Sequence, residues 1–172
     1  MQLEETRDAL NKFAKYVIQQ SRSNLSKSGK NVSKELYNSL DYDLTVSKNS
    51  FSLSLLMEDY GVFQDKGVSG TEKKYNTPFK YTNKRPPASA FSNWVVRKGL
   101  KGTRDAKGRF VSRKGLMFAV ANSVFKKGIK PSMFFTKPFE KAFKDLTEEL
   151  ILSFGLDLER FIDFTIKDNL KK

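Results

Sequence analysis

The chain has no cysteine and no histidine. The first absence removes disulfides, thiolate zinc centres and cysteine nucleophiles. The second removes histidine-based triads and the commonest general base near neutral pH. An enzyme built from this composition would need carboxylate–metal chemistry or a lysine nucleophile. Long apolar runs are also missing, since no stretch approaches the roughly 20 residues of a membrane-spanning helix. The opening Met1-Gln2-Leu3-Glu4-Glu5-Thr6 lacks the basic region and apolar core of a secretion signal. These absences lead us to expect a protein made in, and at first soluble in, a cytoplasm, with no membrane partner.

What is abundant is positive charge and phenylalanine. Lys and Arg number 32 against 19 acids, for a net +13. Such a balance suits nucleic acid, another anionic surface or an acidic protein. A richness in Lys, Asn, Phe and Ser is also what an AT-biased genome would produce without functional selection, so charge alone leaves the partner open. Fifteen Phe, six Tyr and an apolar share of 38% are enough for a core. A length of 172 residues predicts one domain, residues 1–172.

Taken in order, Gln2 to about Leu25 predicts a first helix, with Leu3, Leu10, Phe13, Ala14, Val17 and Ile18 in a stripe and Glu4 and Glu5 in its first turn. After the polar break Ser26–Asn31, Ser33 is placed to cap a short turn over Lys34–Leu40. Tyr42, Leu44 and Val46, then Phe51, Leu53, Leu55 and Met57, alternate with mostly polar residues around Lys48-Asn49-Ser50. That is a β-hairpin with one buried face, and a hairpin alone is marginal, so other elements must cover it. Residues 58–67 read as a strand end entering a short helical turn.

Val68–Pro87 is a long irregular segment whose Tyr75, Phe79 and Tyr81 argue for burial or a partner. Ala88–Lys98 predicts a short helix carrying Phe91, Trp94 and Val95 on one face. Residues 97–115 carry Arg97, Lys98, Lys101, Arg104, Lys107, Arg109, Arg113 and Lys114 against Asp105, with four glycines. They read as a basic loop insertion, mobile or a loose hairpin. Leu116–Lys127 predicts a helix capped by Gly128. Gly128–Phe143 is a proline-punctuated segment entering a final helix at Pro138. There Phe139, Phe143, Leu146, Leu150 and Phe154 share a face, and Leu158, Phe161, Ile162 and Ile166 extend the stripe. Gly155 is expected to kink or split this helix, leaving a helical extension after 155. The fold class expected is α+β, a small antiparallel sheet built on the hairpin, packed by an N-terminal and a long C-terminal helix, with long loop insertions. The C-terminal helix is rich in Asp and Glu while the middle is basic, a polarity suited to head-to-tail contact between copies.

No catalytic constellation emerges, and no cofactor or metal site is expected. Asp105-Ala106-Lys107 matches the Asp-x-Lys end of a restriction-type nuclease motif, but without the upstream Pro-Asp and within a glycine-rich loop. Glu58, Asp59 and Asp65 could collect a hard cation, although a solvated strand end accounts for them. Lys66–Thr71 lacks the Gly-Lys-Ser/Thr of a phosphate-binding loop. The basic stretch comes with no helix-turn-helix, zinc finger or RNA-recognition signature, so any binding of DNA would be backbone-directed and steeply salt-dependent.

The order of elements, together with Tyr60-Gly61-Val62-Phe63-Gln64-Asp65-Lys66-Gly67 and Pro131-Ser132-Met133-Phe134-Phe135-Thr136-Lys137-Pro138-Phe139, resembles the tail-completion, or neck, family of tailed-phage head–tail connector proteins. The scaffold positions are Tyr60, Phe63, Gly67, Pro131, Phe134, Phe135, Pro138 and Phe139. Asp65 stands where the family has glutamate, Gly61 where it has alanine, and no threonine follows Gly67. The resemblance implies a non-enzymatic virion protein of the neck or tail, in the host cytoplasm during assembly. It would form a six- or twelvefold ring around the DNA channel and touch the portal or adjacent ring proteins. Tyr75, Phe79 and Tyr81 would then serve inter-subunit or inter-ring contact, and the basic loop would meet an acidic neighbour or packaged DNA. A sequence-nonspecific DNA-binding accessory protein is the alternative.

Overall fold

A computed structural model describes residues 3–29, 32–47, 50–100, 104 and 106–169, with side chains of the last helix described to 164. The fold is α+β. Helix α1 spans Glu4–Lys27 and α2 spans Glu35–Ser39. Strands β1 (Asp41–Val46) and β2 (Phe51–Leu56) follow, then α3 (Gly61–Lys66). A 3₁₀ turn over Ala88–Phe91 leads into α4 (Ser92–Arg97), followed by α5 (Arg113–Lys127) and α6 (Thr136–Asn169). Two compact units are interleaved along the chain. The first comprises Met1–Leu25, Asn38–Met57 and Phe134–Lys172, and the second Ser26–Tyr37 and Glu58–Met133.

The first unit is built as its periodicities require. β1 and β2 pair antiparallel with Tyr42 opposite Leu55, Leu44 opposite Leu53 and Val46 opposite Phe51, so the apolar residues share one face. Leu10, Phe13 and Val17 of α1 meet Leu146 of α6 in the core, and Leu44, Leu53, Leu55, Phe135, Phe139 and Leu150 pack around them. Burying each of Leu10, Phe13, Val17 and Leu146 contributes on the order of 1.5–3 kcal/mol, and the half-buried residues around them less. Phe13 meets the edge of Phe139 at 5.7 Å between ring centroids, and Phe135 stacks on Phe139 at 5.9 Å. Phe134 is fully buried, and its carbonyl accepts the Asn24 Nδ2–H at 3.2 Å. Pro138 is buried in the first turn of α6, where its missing N–H leaves no helical bond unmade.

One expectation for α6 is corrected: the helix is not split at Gly155 but runs through it as a single element, and a β-carbon added there would meet open space. One glycine costs about 1 kcal/mol in a helix interior. Two residues later Asp157 ties the helix to the start of α1, which offsets that cost. The face shared by the apolar residues of α6 is only partly buried. Leu146 is buried and Phe139 and Leu150 half-buried, whereas Phe143 and Phe154 are exposed. Around Leu146 the packing comes from Leu10, Phe13 and Val17 of α1 and from Leu44, Leu53 and Leu55 of the hairpin.

The second unit gathers the shorter helices. α5 begins at Arg113, three residues before the expected start, because Ser112 Oγ accepts the Gly115 N–H at 3.1 Å as a helix cap. It ends at Gly128, whose φ of 72° is a conformation that glycine adopts without strain. Ser33 accepts the N–H of Glu35 at 3.4 Å at the start of α2, as expected.

Candidate partner-binding surface

The second unit brings the two scaffold segments into contact. Gly67 caps α3 at a φ of 75°. A β-carbon there would lie 2.6 Å from both the Ile129 carbonyl oxygen and Pro131 Cδ. Val68 and Ile129 exchange both backbone hydrogen bonds at 2.8 Å. The Asp65 carbonyl accepts the N–H groups of Ser132 and Met133 at 3.0 Å each, and Ser132 Oγ donates to the Gln64 carbonyl. Met133 takes a left-handed φ of 51° at the end of this seam. Tyr60–Gly67 and Pro131 are thus joined by backbone across the 63 residues Val68–Lys130. Phe134, Phe135, Pro138 and Phe139 belong to the first unit, where Phe134 and Pro138 are buried and Phe135 and Phe139 pack on its core.

The irregular segment after Gly67 is pinned to the same seam. Ser69 N–H donates to the Phe79 carbonyl, and Tyr81 N–H to the Ser69 carbonyl, both at 2.8 Å. Ser69 Oγ accepts the Tyr75 N–H at 2.9 Å, and Thr77 Oγ1 donates to the Gly67 carbonyl at 2.9 Å. Thr71, Glu72 and Lys73 donate their N–H groups to the carbonyls of Phe125 and Lys126. Gly70 and Gly128 make this approach possible, since a β-carbon on either would strike the other's strand. Tyr75, Phe79 and Tyr81 are all half-buried. Phe79 meets the edge of Phe63 at 4.8 Å, and Tyr81 leans on Phe125 at 6.1 Å. Burial raises the Tyr81 phenol pKa.

Two open grooves flank α3, and Tyr60 and Gln64 line both. One, of about 610 Å³, is apolar, with Phe63, Val68, Pro78, Phe79, Tyr81 and Lys80 on its walls. The other, of about 590 Å³, is bounded by Ser33, Glu35, Trp94, Arg97, Lys98 and Lys130. Burial raises the Tyr60 phenol pKa, and Glu35 and Glu58 add to it against a hydrogen bond from Ser33.

The expected basic loop is divided among three settings. Arg97 and Lys98 end α4, with Arg97 3.3 Å from Glu35. Arg113 and Lys114 open α5, with Arg113 donating to Ser92 Oγ at 2.7 Å. Between them an antiparallel bridge joins Arg104 to Phe110, forming a loose hairpin. The Arg104 guanidinium lies 4.2 Å from the Phe110 ring centroid and donates to the Gly108 carbonyl at 2.7 Å. Lys107 and Arg109 are exposed there. Lys101 and Asp105, the latter being one half of the nuclease-type pair with Lys107, lie outside the described residues. Of the carboxylates considered for a cation, Asp65 is buried whereas Glu58 and Asp59 are exposed, and among the described residues no group of three or more Asp or Glu is arranged to hold a metal ion.

Charge divides sharply between the units. The second holds 20 Lys and Arg against 6 Asp and Glu, and the first 12 against 13. The second therefore carries +14 and the first −1. Sequence reasoning saw a basic middle but missed this completeness, because the unit boundaries emerge only from the three-dimensional contacts. It also missed Asp157, read as one of several helix-surface acids. Asp157 is 1% exposed, and its carboxylate accepts the N–H of Glu5 at 3.1 Å, the N–H of Thr6 at 2.9 Å and Thr6 Oγ1–H at 2.8 Å. Comparison with protein-family models, curated proteins and solved structures finds no match to this chain.

Proposed function

We propose that this chain is a non-enzymatic structural subunit of a tailed-phage particle. It forms a homo-oligomeric ring, six- or twelvefold, in the neck or tail around the DNA channel, and meets the portal or adjacent ring proteins. The observation that carries this reading is the seam in which Gly67 closes on Pro131 and Val68 pairs with Ile129. The two segments that resemble the connector family are far apart in sequence and bonded to each other in the fold. A subunit that works by contact needs rigid recognition surfaces rather than reacting groups, and the pinned aromatic segment over residues 68–81 suits that role. Native mass measurement of the purified protein, with cross-linking of intact particles, tests the reading. A ring-sized assembly with portal or tail neighbours is expected. A strictly monomeric protein absent from purified particles overturns it.

The concentration of +14 in the second unit favours a second reading, sequence-nonspecific DNA binding. It requires duplex affinity that falls linearly on a log–log salt plot, by roughly 0.9 log units per phosphate neutralised for each log unit of salt. Salt-insensitive or undetectable binding eliminates it.

A further inference from the structure

The distal half of α6 presents its apolar residues to solvent. At 100° per residue, Ile151, Phe154, Leu158, Phe161 and Ile162 fall in a sector about 100° wide, enough for a docking stripe. All five are exposed, Ile151 by 68%. The side turned to α1 carries instead Leu146, Leu150, Ser153 and the buried Asp157. This inverts the ordinary arrangement, in which the apolar stripe faces the core. Glu148 and Glu159 lie about 40–60° beyond Ile162 on the outer side of the stripe.

We propose that this stripe docks into the apolar groove of the second unit on a neighbouring copy of the chain. The proposal rests on the reading of the chain as a self-assembling subunit and names the surfaces that join. Charge chooses the occupant. An acid-edged helix is complementary to a unit carrying +14 and repelled by another acidic helix, and the groove of Phe63, Pro78, Phe79 and Tyr81 bears Lys80 at its wall. From the fractional exposures, the five side chains offer on the order of 450 Å² of apolar surface, about half of the ~800 Å² per partner of a standard interface, so they form the apolar centre of a contact whose remainder is polar rim. The groove's 610 Å³ lies within the range that admits a few large side chains. Ridge and groove are different surfaces, so the contact is heterologous and each copy can bind one neighbour on either side, as a ring requires.

The test is sedimentation or native mass analysis of the full chain. The wild type is expected to assemble. Ile151→Asp with Leu158→Asp, both at exposed positions, should weaken association at least about thirtyfold, the size of one interface hot spot. Lys80→Glu should weaken it, and adding Glu159→Lys to Lys80→Glu should restore it, which keeps the test informative if the stripe variant misfolds. A stripe variant that assembles like the wild type overturns the assigned surface and leaves self-assembly standing. So do cross-links formed only between the α6 helices of two copies. A wild type that stays monomeric at every concentration overturns both.

Discussion

Asp157 determines how the end of α6 meets the beginning of α1. Burial alone would push its carboxyl pKa up, but the Thr6 and Glu5 N–H groups, the Thr6 hydroxyl and the nearby Arg160 charge hold it below the ordinary carboxylate value. A depressed folded-state pKa contributes stability that is fully present above the unfolded value of about 3.9 and is lost as pH falls through the folded one. Asp157→Asn should therefore cost about 1.5–3 kcal/mol at pH 7 by urea unfolding, with the penalty shrinking as the pH is lowered below about 4. A constant penalty across that range would mean that packing, not charge, carries the contact. The opposite case is Ser21, fully buried on α1 with no hydrogen-bond partner for Oγ among the described residues. Ser21→Ala should raise stability by about 1 kcal/mol, because the hydroxyl's desolvation is uncompensated. Neither residue was legible in the sequence. The polarity of Asp157 sorts it with the helix-surface acids, and only the three-dimensional meeting of residues more than 150 apart reverses that assignment.

Among the elements, the pairing of the hairpin was legible, since alternation of Tyr42, Leu44 and Val46 against Leu55, Leu53 and Phe51 admits one register with a single apolar face. That face is only half-buried, however, Phe51 is exposed and Met57 lies beyond β2. The helices were legible in type, with α5 mistaken only at its start, where Ser112 captures three residues from what reads as a glycine-rich loop. The backbone seam was legible as two motifs but not as a contact, because nothing in either segment encodes the pairing of Val68 with Ile129. Its glycines make the seam testable. Gly67→Ala combines a positive φ with a clash against backbone and the Pro131 ring, so a loss of at least about 2–3 kcal/mol is expected, whereas a surface glycine of the same φ such as Gly108 should lose about 1 kcal/mol. Gly155→Ala has the opposite sign. Open space around an unstrained helical position predicts a gain of about 1 kcal/mol, read as a rise in unfolding midpoint. No gain there would mean that α6 bends at Gly155 in solution.

For the whole molecule, the governing feature is that excess charge is confined to one of two units. Twenty basic side chains among Ser26–Tyr37 and Glu58–Met133, against six acids, repel one another in the isolated protein, and that repulsion opposes the compact state. Most of these groups are exposed, so the repulsion acts through water and salt should screen it. Going from about 0.01 M to 0.15 M ionic strength shortens the Debye length from about 30 Å to about 8 Å, less than the span of a domain of this size. The thermal midpoint should therefore rise with salt over that interval. Replacing Lys84, Lys98 and Lys114 by glutamine should raise the low-salt midpoint and flatten the dependence, since these exposed residues add charge to the second unit. A wild-type midpoint that is flat or falls with salt would show that ion pairs such as Lys126–Glu72 and Arg97–Glu35 already balance the unit internally. An acidic partner placed against this unit would have the same stabilising effect as salt and a more local one. The isolated subunit should then melt at a lower temperature than the assembled one, most clearly when salt is low.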